Sequence, residues 1–228
     1  MPKNLITVAL MIALQTFASE KPSLAPVKIS KKDLKEDSAL KDVAAKIQKA
    51  KLVTMSAKKT VYNAITEGEK TYTGEIAVAK GKMRLNFTEP EKTLVLINPK
   101  EIWVANYDLQ DKEKAKQVIH IVSNKGKIPQ LLLAVLGGNS LLNNFSIKKS
   151  SRREDHLTFD LAPKQKIEEV TKLQLVVDDK EKQIISIVYW DENDNKTSFD
   201  LSKIAFNEKI DSELFKFVPP KGVKVEEL

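Results

Sequence analysis

The sequence contains no cysteine, so the chain can form neither a disulfide nor a thiolate metal site, and it has no thiol nucleophile. It also lacks the cysteine through which an exported lipoprotein is acylated and anchored. Aromatic residues make up only 6% of the chain, against 42% for all hydrophobic residues. We therefore expect a largely aliphatic core that holds together by packing alone.

Long apolar runs are also scarce, and the clearest one lies at the N-terminus over residues 5–14. This run is shorter than the roughly 20 apolar residues that a transmembrane helix needs. Lys3 precedes it and small residues follow it up to Ala18. The pattern is typical of a secretory signal peptide, so we predict one over residues 1–18 and an exported, soluble protein.

The residues after this signal peptide divide into a polar segment and a periodic one. Residues 19–33 hold two prolines and several lysines, which predicts a flexible leader. Apolar residues then recur at steps of three and four, which predicts an amphipathic helix over residues 34–53. Its apolar face would consist of Leu40, Val43, Ala44, Ile47 and Ala50. No linker-like composition follows, so we predict a single domain over residues 34–228.

Beyond the helix the apolar period falls to two, as where Met83, Leu85 and Phe87 alternate with polar residues. Segments of this kind recur about 11 times, separated by turn residues such as Lys80-Gly81. They are residues 58–66, 70–79, 82–87, 92–98, 101–107, 117–122, 143–149, 157–161, 172–177, 182–190 and 195–201. Short strands joined in sequence by tight turns predict an antiparallel meander that curls into a barrel or a half-barrel.

A second helix is predicted over residues 128–136, with Pro129 near its start and Gly137-Gly138 at its end. Its interior is apolar almost all round, so apolar surface must lie on both sides of it. Two interpretations are open. The helix is either a core element that plugs one end of the barrel or a mobile lid over an internal cavity.

Two neighbouring strands, at residues 94–97 and around Trp103, are apolar on both faces. Such strands need a cover on each side. We expect the helix at residues 34–53 to cover one face and the helix at residues 128–136 to cover the other. Alternatively, part of this surface lines a pocket for an apolar ligand.

Motifs that carry catalysis or bind metals are nearly absent. His120 and His156 fall in strand patterns with no second histidine or carboxylate at ligand spacing, which favours surface positions. Asp191 and Asn193 begin a segment that is similar to a calcium loop, but Lys196 stands where glycine is needed. We read that segment as a hairpin turn. We therefore predict no enzyme, no metal and no cofactor.

Positive charge is in excess, at +7 over the whole chain. The basic residues come as scattered pairs such as Lys58-Lys59 and Lys148-Lys149, with acidic residues between them. This pattern favours a solvated surface over a stripe that follows phosphates, so we expect no nucleic acid partner. A basic protein that binds nucleic acid or another anionic polymer stays as an alternative.

Several segments match one known family in the family's order. The stretch FKFVPPKGV at residues 215–223 is the most specific, because it is similar to an F-x-F-x-P-P-x-G-V terminus. The other matching segments are residues 74–87, 89–104, Gln117-Val118 and 128–138. Over about residues 38–226 the chain resembles the LolA family, periplasmic carriers of outer-membrane lipoproteins.

The resemblance implies a mainly β fold with an α lid. It would be an unclosed antiparallel β-barrel of about 11 strands, covered by the N-terminal helix and the short internal helix. The cavity under this lid would receive acyl chains. Its lipid-binding residues would be Met83, Leu85, Phe87, Leu94, Leu96, Trp103, Leu132, Leu133 and Leu136. Where family members commonly carry an arginine that helps hold the lid closed, this chain has Lys80, the candidate lid latch.

The same resemblance implies a non-enzymatic chaperone of lipoprotein transport and outer-membrane biogenesis. Its cargo would be acylated lipoproteins, its donor a LolCDE-type ABC transporter of the inner membrane, and its acceptor a LolB-like receptor of the outer membrane. We expect a monomer. The alternatives are a periplasmic carrier or sensor for another lipid on the same fold, and a hydrolase.

Overall fold

The computed structural model describes residues 31–108, 110–111, 114–122, 127–137, 141–165 and 170–227, without the side chains of residues 31–37 and 127–130. The predicted signal peptide and residues 19–30 of the predicted leader lie outside the described residues. Within the described ranges, no helix is both long enough and apolar enough to cross a membrane.

Three helices and twelve strands make up the described chain. The helices are α1 (Lys31–Lys49), α2 (Lys127–Leu136) and α3 (Leu141–Asn144). The strands before α2 are β1 (Leu52–Asn63), β2 (Gly68–Ala79), β3 (Lys82–Glu89), β4 (Thr93–Ile97), β5 (Ile102–Tyr107) and β6 (Ala115–Ile121). Those after α3 are β7 (Phe145–Arg153), β8 (His156–Pro163), β9 (Lys172–Asp178), β10 (Gln183–Trp190), β11 (Lys196–Asn207) and β12 (Val225–Glu227). A short 3-10 helix, Ser212–Phe215, lies between β11 and β12.

All twelve strands form one unclosed sheet in the order β12-β6-β5-β4-β3-β2-β1-β11-β10-β9-β8-β7. Two meanders, β1 to β6 and β7 to β11, are joined where β1 pairs with β11. Every pair of neighbouring strands is antiparallel except β12 and β6, which run parallel to each other. The predicted fold class, an unclosed antiparallel sheet with few helices, is confirmed.

The predicted boundaries differ from the structure mainly around β1. Helix α1 begins three residues earlier and ends four residues earlier than the predicted 34–53. Val53, Met55 and Ala57 are buried at alternate positions of β1, so a strand period replaces the helix period there. The apolar residues at this junction fit both periods, which is why the sequence placed them in the helix. Strand β12, with three residues, is too short for alternation to reveal it.

The two faces of this sheet are covered by different elements. We call the face that α1, α2 and α3 pack against the inner face, and the opposite one the outer face. The inner face carries the main core, in which Leu40 and Val43 of α1 and Leu131 and Val135 of α2 meet strand residues. The expectation that the two helices cover opposite faces is therefore wrong.

On the outer face the cover is the C-terminal segment, which we define as residues 212–227. Phe215 is buried against Leu96, and Phe217 lies 5.5 Å from Trp103 between ring centroids. The guanidinium of Arg84 donates a hydrogen bond of 3.1 Å to the carbonyl oxygen of Leu214. The FKFVPPKGV stretch thus closes the outer face with its two phenylalanines.

His120 fastens the end of this segment to the sheet. Its Nδ1 lies 2.9 Å from a carboxylate oxygen of Glu227, and its Nε2 lies 2.9 Å from Glu101. The ring stacks on Trp103 at 3.9 Å between centroids. Burial opposes protonation, but the hydrogen bonds that the ring donates to the carboxylates of Glu227 and Glu101 outweigh it and raise the pKa of His120. Hydrogen bonds from Asn98 and then His120 lower the pKa of Glu101.

We predict that this cluster makes stability depend on pH in one direction. A histidine whose pKa is raised on folding contributes stability that is present below its unfolded pKa of about 6.5 and is lost as pH rises through the folded value. The free energy of unfolding should therefore fall more between about pH 6 and pH 8 in the wild type than in His120→Gln. Urea unfolding followed by tryptophan fluorescence at a series of pH values measures this difference.

The matched control for this prediction is His156→Gln, because His156 is exposed on β8. It should keep the wild-type pH profile. If His120→Gln and the wild type lose stability in parallel over the same range, the Glu101–His120–Glu227 cluster does not hold the C-terminal segment.

Candidate ligand-binding interior

The register of the strands decides which side chains reach the inner face, because residues directly opposite in an antiparallel pair lie on the same face. Met83 of β3 lies opposite Ile97 of β4, which lies opposite Ile102 of β5. One step along, Leu85 lies opposite Val95. All of these side chains belong to the main core or pack against it. The result is an apolar wall that crosses three strands without a polar interruption.

Six of the nine predicted lipid-binding residues belong to the main core or pack against it. Met83, Leu85 and Phe87 supply the sheet side, and each is at most 5% exposed. The helix side comes from α2, where Leu132 and Leu136 are buried and Leu133 packs against the core. The structure therefore brings together the strand residues and the helix residues that the sequence predicted.

The other three, Leu94, Leu96 and Trp103, are placed wrongly by the sequence, because they lie on the outer face. Leu96 is opposite Arg84 and Leu94 is opposite Asn86, so both share a face with polar residues of β3. They pack in two smaller clusters with the C-terminal segment. Since β4 and β5 are apolar on both faces, alternation within them cannot tell the inner side from the outer side.

The inner residues that sequence reasoning missed are Val95, Ile97, Ile102, Val104 and Ile121. The sequence does contain a signal for the inner side of β4. Strand β3 is polar on one face only, so its register with β4 fixes which side of β4 is inner. That register could not be read without knowing that the β3–β4 turn pairs Phe87 with Thr93.

The helices are attached to the sheet mainly by apolar contacts. Two polar tethers of α1 reach the β9–β10 turn, where the Lys46 ammonium donates to the carbonyl oxygen of Glu181 at 2.6 Å and Asp42 lies 3.9 Å from Lys182. Helix α3 is held by Lys164, whose ammonium donates to the carbonyl oxygen of Leu142 at 2.6 Å. None of these attachments is a strand pairing.

Lys80 lies in the β2–β3 turn, exposed, beside the ends of two helices. It lines a cavity of about 260 Å³ together with Gln48 of α1 and Gly137, which follows α2. The last carbonyl oxygens of a helix lack intrahelical partners and carry partial negative charge, so they suit a lysine ammonium. Within the described residues Lys80 makes no hydrogen bond or ion pair.

Two of the cavities in the described part of the chain border the helices, and both are small. The cavity at Lys80, and another of about 260 Å³ between α1 and α3, are each smaller than the roughly 300–1,000 Å³ typical of ligand pockets. A ligand of several acyl chains would therefore need the helices to move away from the sheet. Among the described residues, no group of three histidine or acidic side chains is placed to hold a metal ion.

The chain is similar in sequence and in fold to known proteins. The family model described as outer membrane lipoprotein carrier protein LolA matches residues 48–218. The chain is 30% identical over 155 residues to the outer-membrane lipoprotein carrier protein of Dechloromonas aromatica (strain RCB), covering 67% of this chain and 70% of that protein. It is 24% identical over 189 residues to the protein of the same name from Chromobacterium violaceum (strain ATCC 12472), covering 82% and 87%.

One solved structure, an uncharacterized conserved protein from Thermus thermophilus, has the same fold, with a TM-score of 0.51 at 12% identity over 85% of this chain and 99% of that one. This likeness concerns the fold alone. The family match, by contrast, extends over well more than half of the sequence, from the end of α1 to the two phenylalanines of the C-terminal segment. The chain belongs to the LolA family of outer membrane lipoprotein carrier proteins.

Proposed function

We propose that this protein is a non-enzymatic periplasmic carrier that shields lipoprotein acyl chains between the inner face and its helices. The observation that carries the proposal is the continuous apolar wall of β3, β4 and β5, closed by helices and not by strands. The family membership agrees with it, because the related proteins are named lipoprotein carriers. The contact residues would be Met83, Leu85, Phe87, Leu132, Leu133 and Leu136.

The free energy that it costs to move α2 away from the sheet is similar in size to the free energy gained when an acyl chain is buried there. Four side chains of α2 are at most 3% exposed, namely Leu131, Leu132, Val135 and Leu136. Exposing them to water would cost about 6–12 kcal/mol, at roughly 1.5–3 kcal/mol for each side chain. Each methylene that an acyl chain buries returns about 0.8 kcal/mol, so roughly 8–15 methylenes offset the opening. Entry of one long acyl chain is therefore enough to offset the exposure of these four side chains of α2.

The exchange would run between two membranes. An inner-membrane ABC transporter of the LolCDE type would deliver the lipoprotein, and a LolB-like receptor would accept it at the outer membrane. An aliphatic wall can take the acyl chains of many different lipoproteins, since it recognises the chain and not the protein attached to it.

We predict that Leu132→Glu abolishes cargo transfer. A carboxylate at this buried position opposes both closure of α2 and contact with acyl chains, so transfer should fall about tenfold or more. The measurement is the release of a radiolabelled lipoprotein from transporter-containing proteoliposomes into a soluble complex with the purified protein.

Ala45→Glu is the matched control for that change, because Ala45 is exposed on α1. It should transfer cargo as the wild type does. Circular dichroism checks that both variants keep the sheet. Equal transfer by Leu132→Glu and the wild type would contradict the proposed site. Soluble complexes that contain another lipid and no lipoprotein would assign the carrier a different cargo.

Lys80 is the proposed latch of the closed lid. Since the chain has no cysteine, a thiol introduced by Leu132→Cys is the only one present, and its reaction with a thiol reagent reports the opening of α2. Adding Lys80→Ala should raise this reaction rate several-fold, because one charge interaction with a helix C-terminus contributes about 0.3–1 kcal/mol. Lys100→Ala, in the neighbouring exposed turn, should leave the rate unchanged. Equal rates in all three proteins would remove Lys80 from the latch.

A further inference from the structure

A half-buried lysine lies on the inner face. Lys59 of β1 lies directly opposite Tyr72 of β2 and Phe199 of β11, so its side chain projects to the same side as theirs. Its neighbour Lys58 faces the outer side and is exposed, whereas Lys59 is half-buried. The Lys58-Lys59 pair, which looks like ordinary solvated surface in the sequence, is thus divided between the two faces of the sheet.

The ammonium of Lys59 lies over two aromatic rings. Its Nζ lies 5.3 Å from the ring centroid of Tyr72 and 5.8 Å from that of Phe87. In the part of the chain that the structure describes, it forms no hydrogen bond and no ion pair. The nearby carboxylate of Glu91 is engaged by Lys70 at 2.8 Å. Burial lowers the pKa of Lys59, as expected for a cation without a counter-charge.

The two rings satisfy the Lys59 ammonium only in part. A lysine ammonium has three hydrogen-bond donors, and two aromatic rings attract its charge without accepting those bonds in full. An exposed lysine would find its acceptors in water. Lys59 instead holds its ammonium over aromatic rings at the edge of an apolar interior, where it is placed to donate to an oxygen supplied by a ligand.

Polar side chains continue from this lysine across the inner face in a row that Phe87 alone interrupts. Tyr72 meets Phe87 at 6.2 Å between ring centroids, and Phe87 lies opposite Thr93. The Thr93 hydroxyl donates to the Asn106 amide oxygen at 3.2 Å, and the Asn106 amide donates to Gln117 at 3.2 Å. Beyond this row, towards the β2–β3 turn, the same strands present only apolar side chains to the inner face. The row therefore marks a border between a polar rim and the apolar wall.

We propose that Lys59 is the head-group anchor of the carrier: its ammonium donates to a carbonyl, carboxylate or phosphate oxygen at the polar end of an acylated ligand. This inference rests on the proposed function. The acyl chain would run from Lys59 along β3, past Phe87 and Leu85 to Met83. The part of that path from Phe87 to Met83 is about 13 Å long at the roughly 3.3 Å rise per strand residue. Lys80, at the β2–β3 turn, then lies at the opposite end of the wall from the anchor.

The experiment compares Lys59→Met with the wild type on three probes. Two carry head-group oxygens, palmitate with a carboxylate and a synthetic triacylated lipopeptide with ester and amide carbonyls. The third, diphenylhexatriene, is a hydrocarbon without oxygen. Lys59→Met should bind the oxygen-bearing probes about 10- to 100-fold more weakly, the loss expected for one hydrogen bond to a charged group. It should bind diphenylhexatriene as the wild type does.

Two variants control the comparison. Lys58→Met removes the adjacent charge on the outer face and should leave all three dissociation constants unchanged. Lys59→Arg keeps a donor at the site and should retain most of the binding. Thermal unfolding of Lys59→Met should show no loss of stability, because the substitution removes a half-buried cation without a partner.

The outcomes separate the anchor from the carrier. If Lys59→Met binds the lipopeptide and palmitate as tightly as the wild type does, the anchor is wrong and the carrier stands. If the wild type binds none of the probes, the carrier is wrong and the anchor falls with it. A loss confined to palmitate assigns the anchor to anionic head groups, and a loss on both probes assigns it to the wider class of acyl oxygens.

A second readout needs no substitution. Because its pKa is lowered, Lys59 should react with an amine reagent at mildly alkaline pH, and the bound lipopeptide should protect it while leaving Lys58 reactive. Peptide mass spectrometry measures both sites in the same sample. Equal modification of Lys59 with and without the bound ligand would overturn the anchor.

Discussion

A single antiparallel sheet with two apolar faces is the constraint on which the rest of the structure depends. Strands β4 and β5 bury side chains in both directions, so each face needs its own cover. The inner face is covered by α1, α2 and α3, and the outer face by residues 212–227. Without either cover, an extended apolar surface would meet water and favour association with other proteins or membranes.

The two covers are attached in different ways, and this difference underlies the proposed function. The C-terminal segment is fixed by strand pairing of β12 with β6, by the hydrogen bond from Arg84 and by the carboxylates around His120. The helices are held by apolar packing and a few lysine tethers. An acyl chain can replace apolar packing with similar free energy, but it cannot replace backbone hydrogen bonds. Under the proposed function, the inner face is therefore the side that exchanges ligand, and the outer face keeps its cover.

Sequence patterns predicted the fold well where one physical signal dominated. Alternation in β3 identified Met83, Leu85 and Phe87 as inner residues, and the glycines after α2 marked its end. The segment read as a hairpin turn is one, since the backbone N–H groups of Asn193 and Asn195 donate to the Asp191 carboxylate.

The same sequence patterns failed where the answer depends on distant parts of the chain. The two carboxylates at His120 come from positions 19 and 107 residues away, so no local spacing could reveal them. The inner side of β4 likewise depends on its register with β3, and the burial of Lys59 depends on rings from two other strands.

The most direct test of this account is to map where an acyl chain contacts the protein. A triacylated lipopeptide with a photoreactive diazirine in one acyl chain is bound to the wild-type protein, irradiated, and located by peptide mass spectrometry. The account predicts cross-links to inner-face residues such as Leu85 and Val95 and to α2. Cross-links confined to Leu94, Leu96 and Trp103 on the outer face would contradict it.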